Sequence, residues 1–396
     1  MPIPTPFHER TAALCTSLFW KDWAGYYTVR SYDTVLDREY FAIRHAAGLI
    51  DVSPLYKFDV HGPDAGSFLA RVMVKDVRKL TTGQVTYLCW CDDDGKVVDD
   101  GTVSRFGEDR YRVTAAEPSL AWLQRHARGA RVTVEDVSAR IGALALQGPR
   151  SRDVLRDLVG SGVDALRFFR FMPAWIAGAE VVVSRTGYTG DLGYEVWVER
   201  DRALGVYDAI LNAGAPHRLL PAGLDAMDVT RVEAGFIMNG VDYFSANHCL
   251  IESRKSTPFE LNLGWTVQLD REPFIGQAAL RREKLAGSAW GFVGLVIDWD
   301  AFEALFARFG LPPQVPSAAW RTPVPVYDAG GKQVGFATSG AWSPMLKRNL
   351  ALAHVRTPHD REGTRLKIEV TAEYERHRVP AVVTKTPFYN PERKRA

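Results

Sequence analysis

The chain has 396 residues, 46% hydrophobic and 24% charged, with 49 Lys and Arg against 47 Asp and Glu for a formal net charge of +2. At about 100–200 residues per domain, that length suggests two to four domains with ample core. The even charge balance excludes the broad electrostatic footprint of a nucleic-acid binder, and the composition excludes a disordered, collagenous or disulfide-dense chain.

Residues 1–30 are Pro-rich and then aromatic, with Phe19, Trp20, Trp23, Tyr26 and Tyr27. The stretch from Met1 to Pro6 lacks a basic region followed by an apolar core, so no signal peptide is expected. No run approaches the roughly 20 apolar residues that cross a bilayer, so no membrane association is expected and the chain reads as cytoplasmic. A helix should follow, with Asp33 as N-cap, Val35, Tyr40, Ile43 and Ala47 on its apolar side and Gly48 at its end.

Phe58-Asp59-Val60-His61-Gly62-Pro63 reads as a strand and Gly-Pro turn leading into a helix that bears Phe68, Leu69, Val72 and Met73. Leu144-Ala145-Leu146-Gln147-Gly148-Pro149 repeats the pattern, leading into a helix that bears Val154, Leu155, Leu158 and Val159. Element order, turn chemistry and helix register agree, which suggests a duplicated α+β module. Cys89 and Cys91, one residue apart in an apolar stretch, would share a strand face as buried thiols. Neither they nor His354 and His359, interrupted by Pro358, have a second Cys or His pair at zinc spacing, and no metal is expected.

A boundary is expected where Arg281-Arg282-Glu283-Lys284 gives way to Gly287-Ser288, and a break at Gly310-Leu311-Pro312-Pro313. Short strand candidates then follow at 324–327, 333–337, 350–355, 365–370 and 379–384, a pattern that suggests a small β-barrel or sandwich. The basic cluster Glu392-Arg393-Lys394-Arg395 is too short to signal a nucleic-acid partner.

Three segments carry groups that suit chemistry. Asp99 and Asp100 are adjacent in a strand, so if one is solvated the other points into a pocket or core. There a carboxylate can stabilise a developing cation or handle a proton; the alternative is a turn Asp bonding nearby amides. In Arg185-Thr186-Gly187-Tyr188-Thr189-Gly190-Asp191-Leu192-Gly193-Tyr194-Glu195-Val196-Trp197, the spaced glycines suggest backbone held open around a ligand. No phosphate loop fits, because no Lys-Ser or Lys-Thr follows. Glu195 and Trp197 share a strand face, where a carboxylate can read the donor-rich edge of a flat heterocycle and a ring can stack on it. The alternative is a Gly-rich hairpin with a surface Glu. Asp225, Asp228, Arg231 and Glu233 read as the solvated face of a helix beginning after Pro221-Ala222-Gly223.

In this order the segments resemble the glycine-cleavage T-protein (aminomethyltransferase) family of tetrahydrofolate-dependent one-carbon enzymes. The resemblance rests on GLIDVS at 48–53, GPDAGSFL at 62–69, GKVVDDGTV at 95–103, LQGPRS at 146–151, RTGYTGDLGYE at 185–195 and PAGLDAMDVTRVEAG at 221–235. LNLGWTVQLD at 261–270, TSGAWSPMLKRNLALAHV at 338–355 and VPAVVTKTPFYNP at 379–391 complete it. It implies an α+β fold, a three-domain cloverleaf around a central folate channel. Two ferredoxin-like α+β lobes are expected, from 1–50 with 141–245 and from 51–140 with 246–284, and a C-terminal β-barrel over 285–396. It also implies tetrahydrofolate as cofactor, Asp100 beside the reacting nitrogens as the catalytic carboxylate, and pterin contacts from Tyr188 and Glu195, with Trp197 alongside.

The departures fall on the substrate side. Pro54-Leu55-Tyr56-Lys57 stands where His-Met-Gly usually follows Asp-Val-Ser. Met227 replaces the Arg of Leu-Gly-Ala-Arg-Asp, and Val113-Thr114-Ala115-Ala116-Glu117 replaces an Asn-bearing strand end. Retained folate elements with an altered substrate side imply a demethylase that moves a methyl group from a small methylated substrate to tetrahydrofolate. An ether donor would need a proton for the departing oxygen, from Tyr56 or another channel tyrosine; a sulfonium donor would not. The alternatives are the aminomethyltransferase of glycine cleavage, with a lipoyl carrier protein as partner, and a non-catalytic folate-binding protein, whose Lys-Gly-Cys-Tyr-x-Gly-Gln-Glu motif is absent.

Overall fold

The computed structural model describes residues 1–396. Its first large sheet has six strands in the order Phe171–Ile176, Ala179–Ser184, Gly193–Glu199, Ile141–Gln147, Ala47–Asp51, Leu219–Pro221. The second has five, in the order Val85–Cys91, Val97–Arg105, Arg110–Ala115, Tyr56–His61, Thr133–Asp136. In each sheet an antiparallel meander of three strands returns to pair with the strand that opened the unit. That opening strand runs into a helix, Ser151–Val159 in the first case and Ala65–Val72 in the second. The repeat suggested by the two Gly-Pro turns thus extends to strand order. It reaches the turn geometry too, with Gly62 at φ +130 and Gly148 at φ +125, a backbone that excludes most side chains.

Six antiparallel strands close the barrel: Trp290–Ile297, Arg348–Arg356, Gln333–Ser343, Val324–Tyr327, Arg365–Ala372 and Glu375–Thr384. All five sequence candidates lie in it. The sixth, Trp290–Ile297, is interrupted by Gly291 and Gly294, which weakens its strand signal. Gly294 is there for room, since a Cβ would lie 2.6 Å from the Phe388 ring. A helix, Trp299–Ala307, packs Phe302, Leu305 and Phe306 onto the barrel core. The aromatic N-terminal stretch forms a separate three-stranded sheet.

Two local expectations need correction. The first main helix runs Leu36–His45 with Val35 at its N-cap; Asp33 instead accepts from the Val35 amide at 3.0 Å, tightening the entry turn. Ala47 and Gly48 belong to a strand, because the sheet captures them as soon as the helix ends. The second correction is larger. In the helix Leu224–Glu233 every residue but Asp225 is buried, including Asp228, Arg231 and Glu233. It is not a surface helix but the axis of the molecule. The largest apolar cluster surrounds it and draws on both sheets (Cys89, Ala143, Trp197) and the barrel (Phe292, Leu350, Leu352). No helix is long and apolar enough to cross a membrane.

Candidate active site

Val97–Arg105 runs mid-sheet, so Asp99 and Asp100 are paired with Trp90 and Cys89 rather than lying in a turn. Neither is solvated: Asp99 is fully buried and Asp100 half-buried. Asp99 Oδ2 accepts from the amides of Ala116 at 3.0 Å and Glu117 at 2.9 Å. Its Oδ1 accepts from the Asp100 amide at 2.9 Å and Asn239 Nδ2 at 3.0 Å. Asp100 Oδ2 accepts from the Tyr87 hydroxyl at 2.7 Å. One further hydroxyl, that of Tyr243, lies 2.5 Å from Asp100 Oδ1 and 3.2 Å from Asp99 Oδ1.

No cation bonds either carboxylate. Burial, and then the charge of Asp100, pushes Asp99 up to about 7, against the pull of its amide donors. Burial raises Asp100 as well, while the Tyr243 and Tyr87 hydroxyls oppose the shift. The Tyr243 hydroxyl thus stands between two carboxylates whose ionised forms burial disfavours.

Tyr243 and Asn239 come from an irregular loop after the central helix, and nothing in their local sequence marks them. The loop is fixed from behind. Asp242 Oδ2 accepts from Arg231 Nη1 at 2.5 Å and the Met238 amide at 2.9 Å; its Oδ1 accepts from Thr338 at 2.5 Å and Ser339 at 2.7 Å on the barrel. The same loop reaches the glycine-rich motif, where the Tyr188 hydroxyl donates to the Ile237 carbonyl and the Tyr188 ring stacks on Phe236 at 5.6 Å.

The motif's glycines serve a purpose different from the one expected. A Cβ at Gly187 or Gly193 would lie 2.0 or 2.1 Å from the amide oxygen of Gln147. The room they leave is filled by Gln147, which donates to the Thr186 and Tyr194 carbonyls and accepts from Thr189. The glycines are a device for pinning the loop, and Tyr188 and Glu195 project from it. Glu195 accepts from Thr186 at 3.0 Å and from Trp197 Nε1 at 3.2 Å, and burial raises its pKa. A half-buried carboxylate served only by neutral donors can accept paired N–H donors from the edge of a flat heterocycle. Trp197 shares the face as expected, but it is buried and the Arg112 guanidinium lies 5.5 Å from its ring, so it orients Glu195 rather than offering an open stacking face.

Two other expected residues lie elsewhere. Tyr56 pairs with Ala115, which pairs with Gly101, so Tyr56 is on the sheet face opposite Asp100, stacked on Phe58 at 6.2 Å. Met227 is buried in the central apolar cluster. The neighbour of Tyr56, Lys57, does face the site side of the sheet. Its ammonium is buried, donates to the Ser53 and Leu55 carbonyls at 2.9 and 2.7 Å, and is pushed down to about 8 by burial. The barrel cleft at Leu305, Arg308 and His377 and the cleft at Lys96, Glu260 and Glu283 are lined by other residues.

Comparison with known proteins shows the family and the fold. The model of the GCVT N-terminal domain matches residues 6–271, and that of the glycine cleavage T-protein C-terminal barrel domain matches 308–390. An aminomethyltransferase of Bacillus pumilus is 35% identical over 89% of this chain and 90% of its own length. One of Geobacillus thermodenitrificans is 37% identical, with the same coverage. A trimethylamine-oxide aldolase of Ruegeria pomeroyi is 33% identical over 99% of this chain, which spans 47% of that longer protein. The crystal structure of aminomethyltransferase T of the glycine cleavage system from Bartonella henselae has the same fold, with a TM-score of 0.83 over 98% of this chain and 99% of that one at 24% identity.

Proposed function

The chain belongs to the glycine cleavage T-protein family of folate-dependent one-carbon transferases, and from that premise we propose that it is a demethylase transferring a methyl group from a small methylated substrate to tetrahydrofolate. The observation that carries the reading is Tyr243, whose single hydroxyl lies within reach of both Asp99 and Asp100. Tetrahydrofolate, when bound, would supply the nitrogen that accepts the one-carbon unit.

Glu195 and Tyr188 would hold the pterin. Asp100 would carry negative charge against the positive charge that builds on the transferring carbon. Tyr243 would donate its hydroxyl proton to the departing heteroatom as the carbon–heteroatom bond breaks, and recover a proton at Oη through Asp100, which would take the one that the folate nitrogen sheds once it carries the methyl group. That relay provides the acid that an ether or N-methyl donor requires. The whole-length match to a trimethylamine-oxide aldolase favours N-methyl compounds within the donor panel.

The test is incubation with tetrahydrofolate and methoxyaryl, sulfonium and N-methyl compounds, with mass detection of methyl- or methylene-tetrahydrofolate. Product from any of these without a carrier protein supports the demethylase. Product only with a lipoyl carrier bearing an aminomethyl group would make the protein an aminomethyltransferase, the function in its relatives' names. No product from either would leave a folate-binding protein without turnover.

A further inference from the structure

The barrel carries a recess that the one-carbon chemistry does not use. Its last strand, Glu375–Thr384, pairs with Arg365–Ala372 from Glu375 to Val382, but with Trp290–Ile297 only from Ala381 to Thr384. Before Ala381 that side of the strand has no strand neighbour, and the helix Trp299–Ala307 covers it instead. The helix is anchored there by the Asp298 amide, which donates to the Pro380 carbonyl at 2.9 Å. Ala301 and Ala304, one turn apart, present only methyl groups to the gap, so the helix does not fill it. A cleft of about 300 Å³ remains, a volume that holds a small organic molecule.

Leu305, Val379 and Pro380 add apolar wall, and two polar groups of the cleft lack partners. His377 Nε2 is buried without a hydrogen bond; Glu375 Oε2, 3.6 Å away, is beyond hydrogen-bond length. Arg308, exposed at the helix C-cap, makes no hydrogen bond or ion pair with its guanidinium. The third basic side chain, Arg378, is already engaged: its guanidinium lies 3.7 Å from the centre of the Tyr327 ring and donates to the Gly331 carbonyl at 3.3 Å. A buried ring nitrogen leaves a hydrogen bond unmade, and a guanidinium fork matches a carboxylate. Set in an apolar recess, the two complement an acidic head joined to an apolar body.

We propose that this cleft is a binding site for a small organic carboxylate, separate from Asp99 and Asp100. Arg308 and His377 Nε2 hold the head, and the body lies on Ala301, Ala304 and Val379. The inference does not rest on the folate reading. Calorimetric titration of the full chain tests it with three probes: butanoate, butanamide, which has the same shape without the charge, and inorganic phosphate, which has charge without the apolar body. The variants are Arg308→Met, His377→Phe and Glu375→Gln.

Butanoate should bind the wild type with a Kd of about 1 mM, and Arg308→Met and His377→Phe should each weaken it about tenfold. Glu375→Gln should bind butanoate equally or more tightly, because a competing negative charge is gone; a loss there would make Glu375 the intended partner of His377 and overturn the proposal. Butanamide should bind at least about tenfold more weakly than butanoate. Equal binding of the two, no saturable butanoate binding, or butanoate binding unchanged in Arg308→Met would each overturn the site. Phosphate binding more tightly than butanoate would overturn the carboxylate assignment. Arg308 is exposed, so its replacement leaves the core intact and decides the outcome even where His377→Phe does not fold.

Discussion

Two groups of buried carboxylates flank the loop that follows the central helix, and they are held in opposite ways. Asp228 and Asp242 are bound by Arg231 at 2.7 and 2.5 Å, and Arg321 adds a second cation to Asp228 at 2.7 Å. Asp99 and Asp100, at the other end of the loop, are bound by amides and hydroxyls alone. A carboxylate paired with arginine is fixed in charge and place, and breaking such a pair is expensive. One held by neutral donors can take and give a proton. The ion-paired group is held as a frame, and the neutral-donor group is the one we propose to react, although the residue types are the same.

The comparison can be broken at either end. Asp100→Asn should lower turnover by about a thousandfold or more, since it removes the charge but not the shape, while tetrahydrofolate binding, followed by titration, stays within a few-fold. Unchanged turnover would remove Asp100 from the chemistry. Arg231→Met should act on the frame, costing about 3–5 kcal/mol in urea or guanidinium unfolding because two carboxylates lose their cation. A loss near zero would show that solvent or Arg321 compensates.

Tyr243→Phe should reduce turnover about a hundredfold in a protein of near-normal stability. Tyr56→Phe, on the far sheet face, is the control and should leave turnover within about twofold; the reverse result would exchange their roles. The smallest effect is in stability against pH. Asp99 is raised from 3.8 to about 7, so over that interval the folded protein holds a proton that the unfolded chain has released. Linkage then makes unfolding free energy fall as pH rises from about 4 to about 7, and Asp99→Asn should flatten that slope. A wild-type slope of opposite sign, after subtraction of the Asn variant, would mean that Asp99 is ionised throughout.

The legible part of the candidate site was the part carried by contiguous sequence. Asp100, Tyr188 and Glu195 lie in dense motifs, and the pairing of Glu195 with Trp197 followed from strand periodicity. Tyr243 and Asn239 were not legible, because an irregular loop has no period and their partners are remote in the chain. The polar residues of Leu224–Glu233 were misread for a related reason. Amphipathicity assumes that charge faces water, and here charge faces charge inside the molecule, Glu233 with Arg44 and Asp228 with Arg231 and Arg321. The glycines of the 185–197 motif were read as holding backbone open around a ligand, whereas at Gly187 and Gly193 the fold fills the space with Gln147.

By itself the sequence determined the local elements, the repeated strand-turn-helix unit, most barrel strands and the family, since each depends on propensities and spacings among near neighbours. Only the tertiary structure decided which buried charges are paired and which tyrosine stands between Asp99 and Asp100. Those outcomes depend on desolvation and contact between segments far apart in the chain, and no local pattern encodes the distance between them.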